Sequence, residues 1–572
     1  MNYKQAYEQW LTEFASDAAT VAELKSIAHD EHEIEDRFYT ELSFGTAGMR
    51  GVLGAGLNRM NVYNVRRATA ALAEYILSEP GGAKRGVAIA YDSRIFSAEF
   101  AREAALTLCA RGVKAYLFDS LRPVPVLSFA VRHLNCIAGI VITASHNPRQ
   151  YNGYKVYWED GGQMPPERAD EIIKRIDKLN FLDCVAMDET TAKKKGLLSI
   201  IGKKVDDAYI QAVKKLCVNP DLAREMGDQL KIVYTPLHGS GNIPVRRILK
   251  EIGFSKVFVV PEQELPDGNF PTANPPNPEN PAAFTLALEL QEKLDADVVF
   301  GTDPDCDRVG IAVKDKQGNV HILSGNQIGC LLLHYILSQK SERSELPKGG
   351  AVVKSIVSTE MARAICARYN VTLFDVLTGF KFIAETIHRF ETEHDHTFLF
   401  GFEESYGYLS GIDVRDKDGV NACMLIAETA AWYKKHDMTL FDALMSLFET
   451  YGFYGEKVVS FELDGKDGIE KMQKTMQRLR SHPPKAFGKY AVCAVRDYQT
   501  GLRVEDDVTS HLGLPMSNVL YYELESGAWI CVRPSGTEPK IKLYVNAVSN
   551  AQEKTDAILD NLADAAVNLM QG

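Results

Sequence analysis

Mostly apolar runs recur along the chain at 137–142, 231–234, 296–300 and 397–400, and each ends in a polar loop. Short runs rich in β-branched and aromatic residues predict buried strands. Helix-like stretches alternate with them, which predicts an α/β layered chain. Near the start, Trp10, Leu11 and Phe14 interleave with Glu8, Glu13, Asp17 and Glu23. That pattern predicts an amphipathic helix rather than a signal peptide. A hairpin turn is expected at Lys316-Gln317-Gly318-Asn319, and a closing helix over 551–570.

A chain of 572 residues is long enough for three to five domains. Composition breaks divide it into four segments: 1–205, 206–320, 321–451 and 452–572. The first closes in the polar stretch 188–196, whose Lys193, Lys194 and Lys195 read as a solvated linker. The second holds a proline-rich stretch, 266–281, too stiff and too local to be a disordered linker. A charged break at 341–350 is expected on the surface of the third.

The loops carry the chemistry. After the run 137–142 comes Thr143-Ala144-Ser145-His146-Asn147-Pro148. A serine beside a histidine on a proline-stiffened loop suits a nucleophile, although an ordinary Asn-Pro turn reads the same way. After 296–300 comes Gly301-Thr302-Asp303-Pro304-Asp305-Cys306-Asp307-Arg308. Aspartates at i, i+2 and i+4 of an extended segment share one side, and their mutual repulsion calls for a cation. Few hard oxygen ligands suit Mg²⁺, and the glycine and glutamate of an EF-hand loop are missing. Cys306 reads as a small buried filler. Gly401-Phe402-Glu403-Glu404-Ser405-Tyr406-Gly407 offers carboxylate and hydroxyl to a sugar, or else a capped helix start. Arg533-Pro534-Ser535-Gly536-Thr537-Glu538-Pro539-Lys540 combines a guanidinium, two hydroxyls and a glycine, a phosphate cradle.

In this order the four loops resemble the α-D-phosphohexomutase family, over nearly the whole chain. Supporting stretches are Phe44-Gly45-Thr46-Ala47-Gly48-Met49-Arg50-Gly51, Tyr91-Asp92-Ser93-Arg94, Asn152-Gly153-Tyr154-Lys155 and Thr378-Gly379-Phe380-Lys381. One departure is Phe402, where the family usually carries glycine. The chain looks most like the phosphoglucomutase branch, which also includes phosphopentomutases and sugar-bisphosphate synthases. The resemblance implies four domains around a central cleft, the first three of similar α/β topology and the fourth a smaller α+β domain. Each would contribute one loop: phosphoserine, metal, sugar and phosphate.

The implied reaction interconverts glucose 1-phosphate and glucose 6-phosphate through phosphorylated Ser145 and a glucose 1,6-bisphosphate intermediate. Mg²⁺ would be held by Ser145, Asp303, Asp305 and Asp307. His146 and Lys381 are the expected proton acceptors, with Lys155 and Arg50 stabilising the transferring group. A lysine base would need its pKa lowered by neighbouring cations or burial. Arg308, Thr378, Gly379, Glu403, Ser405, Arg533, Ser535, Gly536 and Thr537 would hold substrate. Mannose or pentose phosphates are the alternatives, followed by a metal-dependent phosphatase.

Composition narrows the partners. The net charge of −12 argues against nucleic acid or an anionic membrane, so a small phosphosugar must meet its positive charge inside the cleft. No apolar run approaches the ~20 residues of a membrane span. Ten cysteines without a C-x-x-C pair indicate neither zinc nor a disulfide framework. A cytoplasmic protein is expected.

Overall fold

The apolar runs become the inner strands of three related sheets. The computed structural model describes residues 2–45, 48–463, 468–534 and 540–571. The first sheet has the order Met49–Val52, Tyr151–Trp158, Ala138–Ile142, Val87–Tyr91, Ala115–Phe118, Leu198–Ile201. Its last four strands are parallel, and Tyr151–Trp158 returns antiparallel beside Ala138–Ile142. The second sheet runs Val320–Leu323, Val309–Lys314, Val298–Thr302, Ile232–Thr235, Val257–Val259. The third runs Thr372–Val376, Gly350–Ser355, Thr397–Glu403, Gly407–Leu409.

One unit repeats in all three: three neighbouring parallel strands, then an antiparallel return from the last of them. The serine, aspartate and glutamate loops all occupy that return. Each contains one non-glycine residue in the left-handed region, Ser145 (φ 51°), Cys306 (φ 50°) and Tyr406 (φ 64°). A left-handed residue helps the chain reverse direction, most tightly at Tyr406, where Gly407 already pairs with Glu403.

The fourth unit differs. It is an antiparallel sheet from Phe453–Glu462 to Lys540–Ser549, with the helices Gly468–Ser481 and Gln552–Gln571. It has its own apolar core, including Met476, Leu524, Ile541 and Leu562. The first three units share one core, which runs from Val126 and Tyr209 through Phe300 to Val420 and Leu447. A smaller cluster, Ile356, Val357 and Leu377 against Tyr521, Trp529 and Tyr544, joins the third unit to the fourth.

Details of the sequence reading change. The stretch 188–196 is not a linker: Glu189–Lys194 is a helix leading into Leu198–Ile201, the edge strand of the first sheet. The hairpin at 316–319 forms, but its second strand carries the second sheet to Leu323, past the boundary expected at 320. The amphipathic start becomes three helices, Tyr3–Glu13, Ala18–Ser26 and Glu31–Phe38, packed through Trp10, Phe14, Leu24 and Phe38. Among the described residues no helix is long and apolar enough to cross a membrane.

Strand alternation also explains Phe402. Its buried ring packs on Gly329 of the helix Gly325–Glu342, where an added Cβ would lie 2.5 Å from Phe402 Cδ2. Gly329→Ala should therefore destabilise the third unit by roughly 1–3 kcal/mol, despite alanine's better helix propensity. Urea unfolding followed by circular dichroism measures this. An unchanged or higher midpoint would show that the ring yields freely.

Candidate functional site

Ser145 stands at the open end of the first sheet, with its hydroxyl donating to Asp303 Oδ2 at 2.7 Å. His146 Nδ1 lies 3.1 Å from the Ser145 hydroxyl oxygen. Burial of the imidazole, with Arg308 and Arg50 facing it, pushes its pKa well below the usual value. The ring is neutral at physiological pH. Arg50 reaches the loop through Asn147 Oδ1, at 3.0 Å.

The three aspartates converge, but not through extended backbone. They lie on a turn with Cys306 at its left-handed corner, and the backbone Val124 N–H of the first unit donates to Asp305 O at 2.9 Å. One oxygen from each carboxylate lies within 4.8 Å of the others, and all three side chains are buried. Burial and then Asp305 and Asp307 push Asp303 well above the usual carboxylate range. Burial also opposes charge on Asp305, but the Lys155 ammonium 2.9 Å away outweighs it and holds that carboxyl low. Asp305 Oδ1 and Asp307 Oδ1 are buried with no hydrogen-bond partner among the described residues. Buried acceptors left over in a cluster of hard oxygens fit a divalent cation.

Two lysines flank the cluster, and one was missed in the sequence. Lys417 Nζ bridges Asp307 and Asp416, 3.1 Å from each. Burial disfavours its charge, but these two carboxylates and Glu403 raise its pKa above the usual lysine value. Asp416 in turn accepts from Tyr157 at 2.7 Å and Gln163 at 3.1 Å, which ties the third unit to the first. The sequence signal was weak: Arg415-Asp416-Lys417-Asp418 looks like a solvated charged turn, yet all four are buried. Glu279 was also missed. It comes from the proline-rich stretch 266–281 and pairs with Arg308.

The third unit adds Glu403 at the end of its strand. Its Oε1 accepts from the Gly379 N–H at 2.7 Å, and Gly379 takes φ 122° at the start of the helix Phe380–Glu393. Thr378 Oγ1 is buried nearby in sequence without a partner among the described residues. Ser405 is half-buried in the turn that follows. Glu404 is tied back to Ser355 at 2.9 Å. Arg533 lies one residue before the end of the strand Trp529–Pro534, and its charge is felt at Glu404. Ser535, Gly536 and Thr537 lie outside the described residues.

Lys381 does not join the serine. Burial lowers its pKa, while Glu385 and Glu167, not other cations, are its charged neighbours. Its ammonium lies 4.9 Å from the Phe382 ring centroid. The lysines at the aspartates are Lys155 and Lys417.

Four family models match the chain in register with these units. Those described as phosphoglucomutase/phosphomannomutase alpha/beta/alpha domains I, II and III cover 41–183, 207–318 and 324–451. The C-terminal domain of the same family covers 494–565. A phosphoglucomutase of Staphylococcus epidermidis is 38% identical over 538 residues, 94% of this chain and 95% of that one. One from Staphylococcus aureus is 38% identical over 530 residues, 91% and 93% of the two chains. A putative phosphomannomutase from Thermus thermophilus superposes with a TM-score of 0.70 at 23% identity, covering 93% of this chain and all of that one. The open form of a Paramecium phosphoglucomutase gives 0.68 at 19%, covering 93% and 95%. At those identities the superpositions show the fold alone.

Burial raises the Glu403 pKa from an ordinary 4.5 to about 7. Between those values the folded protein holds a proton that the unfolded chain has lost. The stability Glu403 lends is therefore full at low pH and falls as pH rises from about 4.5 to about 7. Glu403→Gln should flatten that part of the decline in metal-free thermal melts. A variant whose melting points fall in parallel with the parent would place the titration elsewhere.

Proposed function

We propose that this chain, which belongs to the phosphoglucomutase/phosphomannomutase family of α-D-phosphohexomutases, interconverts glucose 1-phosphate and glucose 6-phosphate. The observation that carries this reading is the Ser145 hydroxyl bonded to the buried three-aspartate cluster, with neutral His146 at its side. Near full-length similarity to curated phosphoglucomutases supports glucose as the sugar.

Phosphoryl transfer depends on placement and charge neutralisation more than on covalent help. Ser145 carries the phosphate in the resting enzyme. A sugar phosphate seats its own phosphate at Arg533 and the following Ser535, Gly536 and Thr537, and turns its ring hydroxyls toward Glu403 and Ser405. Thr378 and Gly379 border the ring. The free sugar hydroxyl attacks the phosphorus, a new sugar O–P bond forms, and the Ser145 Oγ–P bond breaks. His146 takes the hydroxyl proton. Lys155, Arg50 and Arg308 neutralise the oxygens in flight.

Glucose 1,6-bisphosphate, the product of this step, turns over in the cleft. It returns its other phosphate to Ser145 and recovers the proton from His146. Ser145, Asp303, Asp305 and Asp307 would hold Mg²⁺, which supplies Lewis-acid charge withdrawal at a phosphate oxygen. This reading gives the proton step to His146, at the serine, and not to Lys381, whose charged neighbours are Glu385 and Glu167.

Ser145→Ala should abolish mutase activity, and peptide mass spectrometry of the parent should place phosphate on Ser145. A coupled assay over glucose, mannose and pentose 1-phosphates should give glucose the highest kcat/KM. A faster pentose or mannose substrate would move the chain within its family. Phosphate release without isomerisation would make it a phosphatase.

Chelation should stop turnover and Mg²⁺ should restore it. Asp305→Asn, which removes one charge beside Lys155, should slow transfer by orders of magnitude. Undiminished turnover in excess chelator would contradict the metal's role.

A further inference from the structure

The stretch Tyr91-Asp92-Ser93-Arg94 has no part in the reaction as described, yet it holds a fully buried ion pair. Arg94 Nε lies 3.4 Å from Asp92 Oδ2, and neither side chain is exposed. We propose that Asp92 and Arg94 together position Ser145, by fixing the peptide groups on both sides of it. This rests on Ser145 as the phosphorylated residue.

On one side, Asp92 Oδ2 accepts from the Thr143 hydroxyl at 2.6 Å. That hydroxyl oxygen accepts the Ser145 N–H at 2.8 Å. On the other side, Arg94 Nη2 donates to the Ser145 carbonyl at 2.6 Å and also to the Asn147 carbonyl. Arg94 Nη1 donates to the Pro148 and Tyr151 carbonyls, 3.0 Å from each. One guanidinium thus gathers four carbonyls of the turn, and no lysine has the planar fork to replace it. Ser145 itself takes φ 51°, a state that a non-glycine residue keeps only when its surroundings hold it there. With both peptide groups fixed, Oγ is aimed at Asp303.

The second unit reaches under the same pair. The Phe270 ring lies 5.0 Å from the Arg94 guanidinium carbon. Gly268 passes so close that an added Cβ would stand 2.5 Å from Ile95 N. The proline-rich stretch therefore seats Arg94 while its other end, at Glu279, holds Arg308 beside the aspartates. Serine and aspartates, carried by different units, are referenced to one piece of backbone. That shared reference is what a transfer step needs, because small errors of placement are costly in rate.

The test uses the full chain after the phosphate on the parent enzyme has been mapped. Thr143→Val keeps the side-chain volume but leaves Ser145 N–H without its acceptor. Single-turnover transfer from glucose 1,6-bisphosphate to dephosphorylated enzyme should slow about 10- to 100-fold, with KM for the sugar phosphate within roughly threefold. Arg94→Lys should slow it further, and Phe270→Leu less. Should Arg94→Lys fail to fold, Thr143→Val carries the test alone. Transfer at the parent rate in a folded Thr143→Val enzyme overturns the proposal. So does an Arg94→Lys enzyme with a lower thermal midpoint and intact kcat, which would leave the pair a structural role only. An active parent with phosphate elsewhere than Ser145 overturns both this proposal and the reading beneath it, whereas a normal map with unaffected variants overturns this proposal alone.

Discussion

Three buried carboxylates within 4.8 Å of one another set the terms for the rest of the cleft. Desolvation alone would protonate them, and mutual repulsion adds to it. The protein answers with Lys155 from the first unit and Lys417 from the third, each in contact with the cluster. Cations from two directions hold the second unit's acid between them.

The three related sheets explain how chemistry from distant segments meets. Each presents its loop at the crossing from its last parallel strand to an antiparallel return, turned by one left-handed residue. Ser145, the three aspartates and Glu403 are therefore variations on one structural position. The fourth unit follows a different plan, and it meets the third through an aromatic-rich seam around Trp529 and Tyr521.

The loops were legible in the sequence because each is contiguous and chemically unusual. Ser145, His146, Lys155, Glu403 and the aspartates are all brought to the cleft. What escaped was chemistry carried by single residues in ordinary-looking company. Lys417 sits in a run of alternating charges that suggests solvent, and only its own contact with Asp307 and the bond from Tyr157 to Asp416 show otherwise. Lys381 misled for the opposite reason: a familiar neighbour, Gly379, is at the site, but the helix that starts there turns the lysine toward Glu385 and Glu167. The repeat was invisible because strand residues are interchangeable apolar ones, whereas pairing order is not written in any of them. The aspartate spacing led to the right cluster by the wrong geometry, a turn rather than a strand.

The continuous apolar core of the first three units also has a bearing on how the protein fails. Residues packed across unit boundaries are expected to unfold together, and the shared core spans more than 300 residues of chain, with Phe453 and Tyr454 of the fourth unit packed against it. Val141, before the serine loop, and Phe402, before the glutamate loop, belong to that shared core, while Ile140 and Ile142 pack in a second cluster of the first unit. Substitutions in the fourth unit's own core therefore remove packing from a different apolar interior than substitutions in the core the other three units share.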